Sequence, residues 1–256
     1  MRRFVVWELG KLAHLRSVRL GLGAALLLPI LWSLAPGLQQ VYGLVLVSGW
    51  QVPALALLAG MEFLFPFLVA MTAAEVLGAE VSAGTLKPLL LRPLSRAHLI
   101  LVKLLVVLAY PFLLLAASLA GGVLAGVPHG FAGFFGGTGL GPGGFAGVGF
   151  LTPAAAFTEI LRAYLLAGAT LLPIGALALL FAVVFLSTTA AALSTVATVL
   201  LMRMLVVFPA LTPLLLTTYL DLYLRPEDWG LGVSLLLIYT IGFGLLAVFF
   251  FERKDV

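Results

Sequence analysis

The chain has 256 residues, of which 63% are hydrophobic and 9% are charged, and its formal net charge is +4. About a quarter of the residues in a water-soluble domain are charged, so this composition excludes a soluble globular fold. The absence of cysteine excludes disulfides, thiolate nucleophiles and cysteine-ligated metals. The basic residues cluster between apolar runs, which indicates membrane topology rather than binding to nucleic acid.

Residues 1–17 form an N-terminal segment that we predict to be a short helix at the membrane interface. Its apolar side carries Val5, Val6, Leu9, Leu12 and Ala13, and its polar side carries Arg3, Glu8, Lys11 and His14. The alternative is a basic flank that only orients the first spanning helix. No signal-peptide cleavage site follows the start, so the first span is expected to act as its own insertion signal.

Six apolar segments follow, and each is close to or above the ~20 residues that a helix needs to cross a bilayer. The predicted spanning helices lie near 20–36, 53–74, 104–127, 156–186, 190–216 and 231–251. Ser187-Thr188-Thr189 provides the turn between the fourth and fifth helices. Residues 128–155 are rich in glycine, and we predict an outer loop without regular structure there, because glycine loses the most entropy on ordering.

The Lys and Arg residues are distributed unevenly, which predicts the orientation of the helices. Five of the 14 precede the first helix, four lie in or just after the connection 75–98, and two end the chain. By the positive-inside rule, both termini and this connection face the cytoplasm. The sequence therefore predicts a single transmembrane domain, an all-α integral membrane protein of six helices with cytoplasmic termini.

The connection 75–98 is the most informative part of the chain. Gly84 permits a chain reversal, Pro88 and Pro93 restrict the backbone, and Ser95 is expected to cap the third helix. We expect a compact protrusion that exposes Leu89-Leu90-Leu91 beside several charges. Apolar side chains exposed beside charges are typical of a docking site for a soluble partner.

This connection resembles that of the permease subunits of type-two ABC exporters. Their pattern is Glu, then Gly-Thr-Leu, two leucines, Arg-Pro-x-Ser-Arg and a Lys that opens the third helix. The matching residues here are Glu80, Gly84, Thr85, Leu86, Leu89, Leu90, Arg92, Pro93, Ser95, Arg96 and Lys103. The ending Phe251-Glu252-Arg253-Lys254-Asp255-Val256 is similar to the usual ending of that family, a Phe, basic residues and an Asp.

The resemblance implies that residues 75–98, from Glu75 onward, couple the chain to a separate ATPase subunit. Two ATPase copies, which bind ATP and Mg, would act on two permease copies in a prokaryotic cell (plasma or inner) membrane. The second permease would be the same chain or a related one. The chain lacks the phosphate loop G-x-x-x-x-G-K-[ST], which agrees with an ATPase in a separate chain. The alternative for Glu80, Arg92 and Arg96 is an ordinary solvated flank.

Two charges lie near the middle of predicted helices, Glu62 in the second and Arg203 in the fifth. A charge at that depth costs roughly 2.5–3.5 kcal/mol on insertion scales, so something should offset it. We predict that the two side chains face a polar translocation route or pair with each other. The alternatives are a structural contact between helices, or displaced helix ends that reach water.

Other motifs carry less weight. Gly139-x-Gly141-x-x-Gly144 matches a dinucleotide fingerprint but follows no strand and opens no helix. His14, His98 and His129 have no metal-binding spacing, and we expect no metal, cofactor or catalytic residue in this chain. The rival functions are a self-contained secondary transporter that uses Glu62, a membrane-embedded enzyme, and a non-transport ABC complex acting on the cell envelope. The transported substrate is not readable from the residues.

Overall fold

The computed structural model describes residues 2–34, 46–90, 95–136, 140–145, 147–224 and 229–254. Its helices are α1 Arg2–Leu12, α2 Arg16–Leu34, α3 Gln51–Ser82, α4 Leu86–Leu90, α5 Arg96–Gly126, α6 Pro153–Phe185, α7 Thr188–Leu205 and α8 Trp229–Glu252. Six of them, α2, α3, α5, α6, α7 and α8, are long and apolar enough to cross a membrane. The prediction of an all-α protein with six membrane-spanning helices is confirmed.

Both described ends of the chain lie at the same end of the helix bundle, which we call the terminal end. Glu8 of α1 reaches Lys103 near the start of α5, and Lys254 after α8 reaches Val183 near the end of α6. At the opposite, distal end, the amide of Gly49 before α3 donates to the carbonyl of Gly130 after α5, at 2.7 Å. The assignment of the terminal end to the cytoplasm stays a prediction.

Helix α5 begins at Arg96, eight residues earlier than the predicted start near 104, which was wrong. Ser95 caps it as predicted, because its hydroxyl accepts the amide of His98 at 3.2 Å. The prediction placed the start near 104 because the run without charges begins after Lys103. Lys103 is nevertheless fully buried inside α5, where carboxylates of other helices compensate its charge.

Helix α7 ends at Leu205, so the predicted extension of the fifth helix to 216 was wrong. Pro209 and Pro213 explain the difference, because proline lacks the amide that continues a helix and restricts the residue before it. Residues 206–224 instead form turns and short 3-10 segments whose Leu216 and Leu220 are buried. Arg203 therefore lies in the last turn of α7, not in the middle of a helix.

The glycine-rich region 128–155 contains regular structure, contrary to the prediction. Strand β1 Phe134–Gly136 pairs antiparallel with β2 Gly149–Leu151. Phe134 and Leu151 face inward and are buried, whereas Phe135 and Phe150 face outward. Strands of three residues are too short to give a periodic sequence signal, and buried apolar side chains offset the entropy that the glycines lose.

Glycines allow the helices of the bundle to approach closely. A methyl group at Gly121 of α5 would overlap the carbonyl oxygen of Leu26 in α2, and one at Gly122 would overlap Pro53 of α3. Small residues at such crossings permit the van der Waals contact that holds membrane helices together. The crossing of α2 and α5 therefore depends on the missing side chain at Gly121.

The turn between α6 and α7 contains only Leu186 and Ser187. Leu186 has a φ of 50°, a left-handed conformation that costs a leucine roughly 1–2 kcal/mol. Leu186→Asn is expected to stabilise the protein by about 1 kcal/mol, because asparagine tolerates this conformation. Thermal unfolding in detergent measures the change. The matched variant Leu186→Val should lower the midpoint of thermal unfolding. An equal change of the midpoint in both variants would contradict the proposed backbone strain at Leu186.

Candidate functional site

The first eight residues of the predicted connection 75–98 belong to α3, which continues to Ser82, so the predicted end of the second helix near 74 was wrong. A chain reversal follows at the end of α3. Gly84 has a φ of 67°, its amide donates to Val81 O at 3.1 Å, and the amide of Thr85 donates to Glu80 O at 3.0 Å. This pair of bonds is the Schellman arrangement, which requires a left-handed residue at the position of Gly84. The predicted role of Gly84 in reversing the chain is confirmed.

The short helix α4 buries its leucines instead of exposing them. Leu86 and Leu89 are 2% and 6% exposed and pack with Leu77 and Ile100. Their spacing of three residues places both on the face turned toward α3 and α5. The prediction that Leu89 is exposed was therefore wrong.

The exposed surface of the connection consists of polar or small residues, among them Ser82, Thr85, Lys87 and Pro88. The side chain of Leu90 and the residues Leu91, Arg92 and Pro93 lie outside the described residues. Docking of an ATPase to this connection stays a prediction.

Four charged side chains form an ionic cluster between α1, α3 and α5: Glu8, Lys11, Glu80 and Lys103. Lys11 Nζ lies 3.0 Å from Glu8 Oε1 and 2.8 Å from Glu80 Oε1. Lys103 Nζ lies 2.9 Å from Glu80 Oε2 and 3.4 Å from Glu8 Oε2. Each lysine thus bridges the same two carboxylates, and the cluster as a whole is neutral.

The cluster is largely shielded from solvent. The side chains of Lys103 and Glu8 are 0% and 3% exposed, and Lys103 Nζ also donates to Val76 O at 3.0 Å. Buried charges are tolerated only when they are paired and hydrogen-bonded. Because Lys103 is fully buried, it does not offer a contact to a soluble partner in this conformation.

Glu75 of α3 makes a second link near the cluster, to α2. Its Oε2 accepts the backbone amide of Ser17 at 3.1 Å, in the first turn of α2. A carboxylate at this position satisfies an unpaired helix amide and complements the positive end of the helix dipole. Glu75, Glu80 and Lys103, which the sequence places in the coupling set, thus hold the N-terminal helices against α3 and α5.

The N-terminal helix presents its polar side to the protein. Glu8 and Leu12 are buried, whereas Val6, Trp7 and Leu9 are exposed. Glu8 and Lys11 were not predicted from the sequence as partners of Glu80 and Lys103. A usable signal was present, because Lys103 is a lone cation in an apolar run and Glu8 is an anion in an otherwise apolar or basic segment.

The C-terminal residues are fastened by a separate set of contacts. Arg96 Nη1 donates to Lys254 O at 2.7 Å. Lys254 Nζ donates to the carbonyls of Val183 at 2.9 Å and of Val184, at the end of α6. A cation suits the unpaired carbonyls and the negative dipole of a helix C-terminus. Arg96 thereby connects the start of α5 to the ends of α6 and α8.

Glu62 and Arg203 line one cavity of about 970 Å³, which we call the distal cavity. It lies between α2, α3, α7 and the segment 206–224. Its polar wall contains Glu62, Arg203, Thr212, Thr217, Thr218, Asp221 and Tyr223, and its apolar wall contains Leu28, Trp32, Leu55, Leu58, Ala59, Leu64, Val206 and Leu224. Within the part of the chain that the structure describes, no ion pair joins Glu62 to Arg203.

Glu62 occupies a π-helical turn, Gly60–Leu64, inside α3. The amide of Phe65 donates to Gly60 O, five residues earlier. Pro66 has no amide to give to the carbonyl of Glu62, which favours a local change of helix register. Such turns are frequent at functional sites because they redirect a side chain.

Asp221 and Tyr223 belong to the polar wall, although neither was predicted from the sequence as a site residue. Burial raises the pKa of Tyr223 above its ordinary value, and the carboxylates of Asp221 and Glu62 raise it further. The phenol therefore stays neutral and serves as a hydrogen-bonding and aromatic group. In the described ranges, no group of three or more His, Asp or Glu side chains is arranged to hold a metal ion.

Comparison with known protein families identifies a family to which the chain is similar. The model of a family described as "ABC-2 family transporter protein" matches residues 4–198, from α1 into α7. The matched range includes the ionic cluster and Glu62, whereas Arg203, Asp221 and the C-terminal contacts follow it. No curated protein matches the chain.

Proposed function

Since the chain belongs to the ABC-2 family of transporter proteins, we propose that it is the transmembrane subunit of an ATP-driven exporter and forms half of a translocation pathway. It is a multi-pass membrane protein and an ABC transporter permease, and membership of this family implies an ATPase subunit as partner. The proposal adds the export direction, the coupling through residues 75–98, and assembly with a second permease and two ATPases.

The observation that carries the coupling proposal is the ionic cluster beside the exposed turn 82–85. Glu80 accepts the amide of Thr85 with its carbonyl and holds Lys11 and Lys103 with its carboxylate. A displacement of the turn by an ATPase is therefore transmitted to α1 and α5 together. Side chains locked by paired charges transmit force better than solvated ones, because they have one defined arrangement.

The unequal burial of the spanning helices supports assembly with a second permease. Most residues of α6 are buried inside the single chain, whereas few residues of α2 and of α7 are buried. Both of these helices also line the distal cavity, so a second copy placed against them would close it. We therefore propose that the cavity is the part of the translocation route that this chain contributes.

The positive-inside distribution supports a cytoplasmic terminal end. An ATPase supplied with ATP in the cytoplasm then meets the turn 82–85, Lys87 and Pro88. The distal cavity then lies toward the other face of the membrane, which is the face where an exporter releases its substrate. Inside-out vesicles containing both subunits should accumulate substrate on adding ATP.

Lys87→Glu is expected to weaken binding of the partner ATPase about tenfold, which corresponds to about 1.4 kcal/mol. Lys87 is exposed on α4, and a reversed charge removes an attractive contact without disturbing the fold. The affinity is measured by co-purification and titration of the ATPase against the permease in detergent. His14→Glu, an exposed change at the same end of the bundle, serves as the control.

Two results would contradict the proposal. One is that the ATPase binds the Lys87→Glu variant as tightly as the unaltered chain, and also binds a permease with an altered turn 82–85 equally tightly. The other is full transport by the purified chain alone, driven by an ion gradient and abolished by Glu62→Gln. The second result would establish the secondary transporter instead.

A further inference from the structure

Three charged side chains of the described residues line the distal cavity. Within the described residues, Glu62, Arg203 and Asp221 make no hydrogen bond or ion pair with their side chains. Glu62 lies 11 positions after Gln51, the first residue of α3, and the rise of roughly 17 Å along the helix axis corresponds to about half of a ~30 Å hydrocarbon core. A carboxylate at that depth that forms no ion pair or hydrogen bond among the described residues indicates a ligand or ion pathway.

The charges of the described residues that line the cavity do not cancel. Glu62 and Asp221 contribute two negative charges and Arg203 one positive charge. Helix α7 also ends at Leu205, beside the cavity, and a helix C-terminus carries a partial negative charge. The site therefore has a net negative potential and attracts cations.

A further polar group in the wall is buried and unsatisfied. Thr217 is 7% exposed, and its hydroxyl has no partner among the described residues. Thr218, by contrast, donates to Thr212 O at 2.7 Å. A buried hydroxyl that lines a cavity and lacks a partner costs free energy unless a ligand or water satisfies it.

The remainder of the wall is apolar and aromatic. Leu28, Leu55 and Leu58 face the cavity from α2 and α3, and Trp32 and Tyr223 add aromatic rings. A volume of about 970 Å³ falls within the range of pockets for small organic molecules. Aromatic rings beside carboxylates favour organic cations, which gain both ion pairing and cation–π attraction.

We propose that the distal cavity binds an amphipathic organic cation, whose charged group lies between Glu62 and Asp221 and whose apolar body contacts the leucines. This inference rests on the proposed function, since it names the substrate class of the route. Arg203 carries a positive charge and therefore repels any cation in the cavity. A bare metal cation has no apolar body whose contacts offset this repulsion, so Arg203 selects against it.

Tetraphenylphosphonium, an apolar cation, tests the proposal on the purified full chain in detergent, without ATPase or ATP. Glu62→Gln and Asp221→Asn are each expected to weaken its binding about tenfold in equilibrium dialysis. Arg203→Gln should strengthen binding severalfold, because it removes a repulsive charge. Glu159→Gln is the matched control, since Glu159 pairs with Arg162 at 2.6 Å, outside the cavity.

The absence of cysteine allows a second measurement that locates the ligand. Thr218→Cys introduces a single thiol into the cavity wall, and tetraphenylphosphonium should slow its reaction with a maleimide at least fivefold. Leu231→Cys, an exposed position on α8, should react at the same rate with and without the cation.

Three results would overturn the cation site: no binding of tetraphenylphosphonium, binding that is indifferent to Glu62→Gln and Asp221→Asn, or stronger binding of dodecyl phosphate that depends on Arg203. Each of these leaves the proposed function standing if the ATPase still binds the chain. Conversely, cation binding by a chain that no ATPase recognises supports the site and removes the exporter proposal.

Discussion

Lys103→Met is expected to destabilise the folded chain by about 3–5 kcal/mol, the usual cost of removing one partner from a buried ion pair. Lys103 is fully buried and lies 2.9 Å from Glu80 and 3.4 Å from Glu8. Without it, Lys11 alone faces two carboxylates, and the cluster carries a net negative charge away from water. Thermal unfolding in detergent, followed by size exclusion, should show a large loss of stability.

The double variant Lys103→Met with Glu8→Gln restores neutrality and should recover at least half of the loss. Lys87→Met serves as the matched control, because Lys87 is exposed on α4 and an exposed substitution changes stability by about 0.5 kcal/mol or less. Equal midpoints for the Lys103 and Lys87 variants would show that the cluster adds nothing to the fold. The double variant also allows stimulation of the ATPase to be measured in a chain whose ionic contact between α1 and α5 has been removed.

Gly121→Val should destabilise the bundle by about 3 kcal/mol or more, at the upper end of overpacking effects. A side chain at Gly121 would overlap the backbone carbonyl of Leu26, and a backbone atom cannot move aside as the end of a flexible side chain can. Helices α2 and α5 would have to separate, which also removes contacts between α2 and α3. The fraction of monodisperse protein after detergent extraction measures the effect.

Gly23→Val is the control for Gly121, because Gly23 lies on α2 and has no atom within 4 Å of the added group. The two substitutions change residue type and helix propensity in the same way. Similar losses for both would attribute the effect to propensity and contradict the close crossing of α2 and α5.

The number of spanning helices was predictable because the thickness of a bilayer fixes how many apolar residues a helix must contain. The helix ends were less predictable. Lys103 looked like the edge of a helix until its partners were known, and Pro209 ends α7 although the apolar run continues past it. The capping role of Ser95 was predictable, since it depends on a residue three positions away.

The candidate sites show the same division between local and distant contacts. Glu8 and Lys103 are 95 positions apart, and Lys11 and Glu80 are 69 apart. No local pattern records such a pair, so the sequence identified Glu80 and Lys103 without their partners. Glu62 and Arg203 were found because each charge interrupts an apolar run. Asp221 was missed because it lies in the segment 206–224, between spanning helices, where a charge is unremarkable.

The ionic cluster also determines an order of events during synthesis of the chain. Glu8 and Lys11 leave the ribosome first, and Glu80 follows in the last turn of α3, but Lys103 arrives only with α5. Until then the nascent chain holds two carboxylates and one ammonium, which favours keeping α1 in water. Docking of α1 therefore waits for insertion of α5, and a chain shortened before Lys103 should leave its N-terminus accessible to proteases.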